Sequence, residues 1–102
     1  MTNEKIIVLV DDEDILELIP DYLDTRREEL PVLRNALAQD DFETLRGFGH
    51  KLKGSGGGYG LDRISEIGSN METCAKAGDV TALAREIDGL ADFLERVEVV
   101  AK

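Results

Sequence analysis

The sequence predicts an all-α protein, an antiparallel up-and-down four-helix bundle with a short extra N-terminal helix. Three observations support this fold class. Apolar residues recur at steps of three and four along most of the chain, which is the spacing of one helix face. The connections between the predicted helices are short, which favours antiparallel neighbours. With 5% aromatic residues and no Trp, the core is expected to consist mainly of Leu, Ile and Val.

The N-terminal segment is predicted to be an extended arm over residues 1–11 of a single domain spanning 1–102. The segment from Lys5 to Glu13 resembles the first strand and acidic turn of response-regulator receiver domains. No segment after Asp14 has the pattern of a strand, however, and a receiver needs five. The favoured interpretation is therefore an arm that leads into a helix capped by Asp11 or Asp12.

Two prolines shape the prediction for the next segment. Pro20 fits the first turn of a helix, where a missing N–H costs no hydrogen bond, so it is expected to separate a short helix over 12–19 from a longer one. The longer helix has one apolar face, formed by Ile19, Leu23, Leu30, Leu33 and Leu37. Pro31 lies inside it and should cost about 3 kcal/mol. Either the helix bends there or it is two helices, and one bent helix is favoured.

Three further helices follow. The first runs from about Asp41 to Gly56. The second is bounded by Gly60 and Gly78 and carries a stripe of Ile64, Ile67, Met71 and Cys74. The last begins near an Asp79 cap and carries a stripe of Leu83, Ile87, Leu90, Leu94 and Val97. Cys74 is the only cysteine, so an internal disulfide is impossible and a small core residue is expected there.

Composition restricts the partners. The formal charge of -10 argues against nucleic acid and anionic membranes, which would be repelled over most of the surface. The longest uncharged apolar run, from Ile6 to Val10, is far shorter than the roughly 18 residues of a membrane span. No secretory signal can be argued, so a cytoplasmic location is expected. A monomer is also expected, because one core uses all the predicted apolar stripes.

The helix over 41–56 carries the only histidine, His50. At about 100° per residue, Leu45, Phe48 and Leu52 fall on the side opposite His50, so this histidine is expected to be exposed. Five residues lie within about 60° of it on the same projection: Arg46, Gly47, Lys53, Gly54 and Gly57.

The residues around His50 are unusual for a helix. Each interior glycine costs about 1 kcal/mol relative to alanine. We interpret Gly47 and Gly54 as giving a partner's backbone access to the imidazole, and the run at 56–58 as a helix end and turn. Between positions 44 and 61 there are three cations and no acid: Arg46, Lys51 and Lys53. These indicate a positive patch around His50, although an ordinary solvated helix face has a similar composition.

The segment from His50 to Ser55, His-Lys-Leu-Lys-Gly-Ser, resembles the signature of histidine-containing phosphotransfer domains, as do the glycine-rich stretch and Tyr-Gly pair that follow. The resemblance implies that His50 is the phosphoryl acceptor and that Lys53 stabilises charge on the phosphoryl group. Gly54 would be the small residue against which the partner docks. Arg46, Gly47, Lys51 and Gly57 are assigned to the same partner-binding surface.

The family resemblance also implies a function. His50 would reversibly accept a phosphoryl group from, and donate it to, an aspartate of a response-regulator receiver domain in a two-component phosphorelay. The partners would be a receiver domain, a hybrid histidine kinase or both. Mg²⁺ would be held by the receiver, so no cofactor or metal is expected on this chain. Without a glycine-rich nucleotide loop the chain should not phosphorylate itself, and whether it counts as an enzyme stays open.

Two alternatives belong to other classes of protein. A non-catalytic helical docking module would have the same fold, but it would have no need of His50. A metal- or haem-binding bundle is disfavoured, because one histidine and one distant cysteine supply too few ligands.

Overall fold

The computed structural model of the chain describes residues 4–102, which form four α-helices, a 3₁₀ turn and two short strands. In chain order they are β1 (Ile6–Val10), α1 (Glu13–Ala38), α2 (Phe42–Gly56), the 3₁₀ turn (Gly57–Tyr59), α3 (Asp62–Ala77), α4 (Val80–Arg96) and β2 (Val97–Ala101). The predicted all-α bundle of four helices is confirmed. Two features were not expected, namely an uninterrupted first helix and a pair of strands. No helix in the described part of the chain is both long enough and apolar enough to cross a membrane.

The prediction of a separate short helix before Pro20 is wrong. Asp12 caps α1 by accepting hydrogen bonds from the backbone N–H of Asp14 and Ile15, and the helix then continues through both prolines. Pro20 and Pro31 are both exposed, so water can bind the carbonyl groups that the missing N–H groups leave unpaired. The two are eleven residues apart and hence lie on the same face of the helix. Helix α1 is also continuous at Pro31, so the alternative of two helices there is wrong.

The chain ends of the bundle are joined by a parallel pair of strands. β1 and β2 align from Ile6 opposite Val97 to Val10 opposite Ala101. Residues 6–10 of the predicted arm therefore form a strand, while residues 1–3 lie outside the described part of the chain. The expectation that no strand follows Asp14 is wrong. Val97 fits the helical stripe of α4 as well as it fits a strand, and the pairing with β1 is a long-range interaction with no local sequence signal.

The core lies between the four helices and is entirely apolar among the described residues. Its largest members, each at most 2% exposed, come from every helix and from the connection before α3: Ile19, Leu33, Leu45, Leu52, Leu61, Ile64, Ile67, Met71, Leu83, Ile87, Leu90 and Leu94. The predicted stripes of the last two helices are thus buried, except that Cys74 and Val97 are only partly buried against the core. Asp79 caps α4 as predicted, accepting from the N–H of Ala82.

Helices α2 and α3 touch through their backbones. An added Cβ at Gly49 would lie 2.7 Å from the backbone nitrogen of Glu72, and one at Gly56 would lie 2.7 Å from that of Ser65. On the facing helix, a Cβ at Gly68 would meet the backbone nitrogen of Lys53 and would lie 2.6 Å from the carbonyl oxygen of Gly49. No side chain fits at these positions unless the helices separate. These glycines therefore fix the distance between α2 and α3.

We expect Gly68→Ala to reduce the free energy of unfolding by about 1–3 kcal/mol, because the new methyl group must push backbone atoms apart. Gly47→Ala is the matched control, since an added Cβ there meets nothing within 4 Å. It should raise stability by about 0.4–1 kcal/mol through the unfolded state. Urea unfolding followed by circular dichroism measures both. Equal stability of Gly68→Ala and the wild type would show that the helices can separate at little cost.

Candidate functional site

His50 stands on the exposed side of α2. Asp41 fixes the start of this helix by accepting from the N–H of Thr44 at 3.2 Å. Leu45 and Leu52 are buried at 0% and 2% exposure, which orients the helix on the bundle. The side chain of His50 is consequently 75% exposed, as the helical projection predicts.

A carboxylate from α3 reaches the imidazole. Glu72 Oε2 lies 3.2 Å from His50 Nδ1, and Glu72 Oε1 lies 3.7 Å from Lys53 Nζ. The Glu72 side chain is only 15% exposed, whereas His50 and Lys53 reach well into solvent. The close contact of α2 with α3 at Gly49 places the Glu72 backbone directly beside the helix that carries His50. One carboxylate thus joins the candidate acceptor to the candidate cation.

Opposing effects act on the Glu72 carboxyl group. Its partial burial raises the pKa, but the hydrogen bond and charge of His50 lower it, and the charges of Lys76 and Lys53 add to this lowering. The lowering effects prevail, so the pKa of Glu72 lies below its ordinary value. Glu72 is therefore an anion near neutral pH and accepts hydrogen bonds from its neighbours.

This arrangement defines the chemistry of the imidazole ring. A carboxylate can only accept, so the contact with Glu72 is a hydrogen bond when His50 carries a proton on Nδ1. In the neutral ring the other nitrogen, Nε2, then keeps its lone pair. Because the side chain is exposed, Nε2 is available as a nucleophile without any base to remove a proton from it.

The other predicted residues are distributed around His50. Arg46, Gly47 and Gly54 are exposed, and an added Cβ at either glycine would meet open space. Lys51 lies away from the imidazole, with its Nζ 5.8 Å from the centre of the Phe48 ring. Gly57 is the first residue after α2 and is exposed. The structure thus brings Lys53 and His50 to the same carboxylate and leaves the two open glycines as a bare surface beside them.

The end of α2 is held by a hydroxyl group inserted into its hydrogen-bond pattern. Ser65 of α3 donates to the carbonyl oxygen of Lys53 at 2.9 Å and accepts from the N–H of Gly57 at 2.7 Å. A regular helix would join those two backbone groups directly. The chain then tightens into the 3₁₀ turn and leaves it at Gly60 with φ of 75°. The prediction of a helix end and turn in the glycine run is confirmed.

Aromatic residues connect this end of α2 to α1. The hydroxyl groups of Tyr22 and Ser55 are hydrogen bonded at 2.7 Å, and the rings of Tyr22 and Tyr59 lie 4.3 Å apart. Ser55 is the last residue of the His-Lys-Leu-Lys-Gly-Ser segment. Its observed contact is internal, so in this structure it supports the fold of the helix end.

Glu72 was not predicted as a site residue, and its carboxylate beside His50 corrects the prediction of a purely positive patch. The charge count covered positions 44–61 of the chain, where no acid occurs, but the nearest charged group to His50 comes from another helix. The available signal was the presence of Gly49 and Gly68 on the apolar faces of two helices, which is typical of backbone contact. These two glycines indicate which helices approach each other, but they do not identify the residue that faces His50.

No group of three or more His, Cys, Asp or Glu side chains among residues 4–102 is arranged to hold a metal ion. The groups around His50 are one carboxylate and several cations, which suit an anionic ligand better than a metal.

Comparison with protein families gives a match over most of the chain. The sequence model of the family described as Hpt domain matches residues 17–99, which include all four helices except the first turn of α1. Searches of curated proteins and of solved structures gave no significant match.

We expect the pKa of the Glu72 carboxyl to rise in His50→Ala, because the variant removes the hydrogen bond and the charge that hold it down. Since the folded pKa lies below the unfolded one, the contact stabilises the protein above the unfolded pKa. That contribution is lost as the pH falls through the folded value. Carboxyl carbon shifts measured by NMR during a pH titration report the pKa. Lys51→Ala is the control and should leave it unchanged.

Proposed function

The chain belongs to the Hpt domain family, and from that membership we propose that it is a histidine phosphotransfer protein of a two-component phosphorelay. In this proposal His50 reversibly accepts a phosphoryl group from an aspartate of a response-regulator receiver domain, and donates it to one. The observation that carries the proposal is the hydrogen bond between His50 Nδ1 and Glu72, which leaves an exposed Nε2 as the nucleophile.

The transfer forms a bond between His50 Nε2 and phosphorus while the bond from phosphorus to the aspartyl oxygen breaks. The aspartate leaves as a carboxylate, so no proton has to move. The imidazole ring gains positive charge because it retains the proton on Nδ1. Glu72, 3.2 Å from Nδ1, is placed to stabilise that charge. The reverse transfer uses the same groups, since the ring becomes neutral again when the phosphoryl group leaves.

Lys53 is proposed to stabilise the phosphoryl oxygens. Its side chain is 55% exposed, and Glu72 Oε1, at 3.7 Å from Nζ, keeps the ammonium group on the His50 side of α2. Phosphoryl transfer depends on in-line positioning and on compensating charge at the equatorial oxygens. Arg46 is a weaker candidate for this role, because no contact within residues 4–102 holds its exposed side chain near the imidazole.

The docking surface in this proposal is the exposed face of α2 around His50. Gly47 and Gly54 leave room for the backbone of a receiver domain, and Lys51 and Gly57 border that room. The partner is a receiver domain, alone or within a hybrid histidine kinase, whose acidic site holds Mg²⁺. The local cations favour such an acidic partner despite the net charge of -10. The proposed setting is the cytoplasm, as expected from the sequence.

We expect His50→Gln to abolish phosphoryl uptake, because the amide has no nucleophilic ring nitrogen. The side chain is exposed, so the circular dichroism spectrum and the melting temperature should change little. Incubation with phosphorylated receiver domains of the same organism, followed by a test for acid-labile label on the chain, measures uptake. Wild-type labelling of the variant would exclude His50 as the acceptor and would favour a docking module.

Lys53→Ala should slow transfer about tenfold at saturating receiver, because an exposed charge assists the reaction without forming the new bond. Lys53→Arg is the matched control and should retain most of the rate, since it keeps a cation at this position. Rapid-quench measurement of a single turnover gives both rates. If Lys53→Ala transfers as fast as the wild type, the ammonium group has no part in the chemical step.

A further inference from the structure

The outer face of β1 is apolar and open. Ile7 and Leu9 of β1 are 53% and 57% exposed, whereas the alternate residues Ile6, Val8 and Val10 pack towards the core. A monomer is expected from the sequence only if one core uses every apolar stripe. These two side chains lie outside that core, so the reason for expecting a monomer does not hold.

The second edge of β1 has unpaired backbone groups. Within residues 4–102 β1 pairs only with β2. The N–H of Lys102 donates to the carbonyl of Val10, which shows that Val10 directs its backbone groups towards β2. In a parallel ladder every second residue of a strand bonds the same neighbour, so Val8 and Ile6 also direct their backbone groups towards β2. The N–H and C=O groups of Ile7 and Leu9 therefore point away from β2. Such an edge is a template for another strand.

We infer that this edge pairs with β1 of a second copy of the chain, antiparallel and centred on Val8. The two copies would then share a four-stranded sheet in the order β2, β1, β1, β2. This inference is independent of the proposed phosphotransfer function, because it uses neither His50 nor the face of α2 that carries it.

The register follows from hydrogen bonding. In an antiparallel pair, two residues that exchange both hydrogen bonds lie directly opposite each other. Only residues whose backbone groups face the free edge can exchange hydrogen bonds with the second copy. Centring the antiparallel pair on Val8 places two such residues, Ile7 and Leu9 of the second copy, opposite each other. The next such pair is Lys5 opposite Asp11. By symmetry each pair occurs twice, so apolar side chains face apolar ones in the middle.

Charge complementarity selects the second copy as the occupant. Lys5 lies just before β1 and Asp11 just after it, and the antiparallel register pairs them at both ends, where their attraction opposes the repulsion between Glu4 and Asp12, the next residues outward. Shifting the register by one step in either direction places Lys5 opposite Leu9, or Asp11 opposite Ile7. Cross-strand pairs of opposite charge stabilise a sheet and like charges destabilise it. The edge of β1 is therefore complementary to itself in one register.

The test measures the mass of the full chain by analytical ultracentrifugation over a wide range of concentrations. The wild type should form dimers with increasing concentration. Lys5→Glu places the new glutamate opposite Asp11 of the other copy at both ends of the shared sheet. This variant should weaken self-association about tenfold. The double variant Lys5→Glu with Asp11→Lys should restore it, since each copy then presents exchanged charges. Asp11 also contacts Lys102 of its own chain, with 3.9 Å between Lys102 Nζ and Asp11 Oδ1. Lys102→Gln is the control for this contact and should leave the measured mass of the wild-type assembly unchanged.

A backbone variant tests the hydrogen bonds separately. Ile7→Pro removes an N–H that faces the second copy and leaves the ladder with β2 intact, so it should prevent dimerisation while the helical circular dichroism signal is retained. A wild type that stays monomeric at every concentration overturns the inference. So does a dimer that neither Lys5→Glu nor Ile7→Pro weakens, because it must use another surface.

Discussion

The site depends on the backbone contact between α2 and α3. Gly49, Gly56 and Gly68 have no side chains, so these helices approach more closely than alanine would allow. That distance brings the Glu72 carboxylate to 3.2 Å from the imidazole of a residue that is itself turned towards solvent. The same contact lets Ser65 reach the last turn of α2. A wider separation would keep the fold class but would leave His50 without its anionic partner.

Glycines serve two different purposes in one helix. Gly49 and Gly56 face α3 and are needed because backbone atoms occupy the space of a side chain, whereas Gly47 and Gly54 face solvent and leave that space empty. Helix α2 accommodates these four glycines because buried Leu45 and Leu52 anchor it to the core. One side of α2 thus packs against α3, while another side stays accessible to solvent. His50 lies between these two sides of the helix.

Most of the fold could be predicted because its signals are local. The stripes of α3 and α4 and the Asp79 cap follow from residues three or four positions apart, and so does the exposure of His50. Two other features depend on residues distant in sequence. Glu72 meets His50 across a helix interface, and β1 meets β2 from the other end of the chain. The prediction of a helix boundary at Pro20 was wrong because it used local helix propensity alone. Packing of the residues on both sides of the proline keeps α1 continuous.

The pairing of β1 with β2 also bears on how the chain folds. Almost the whole sequence lies between Ile6 and Val97, whereas α2 and α3 are neighbours joined by a short turn. Closing a loop of that length has a high entropic cost before any contact offsets it. The helical contacts should therefore form early and the strand pair late. During unfolding the strand pair should open first. The amide protons of β1 and β2 should therefore exchange with solvent sooner than those of the helices around His50.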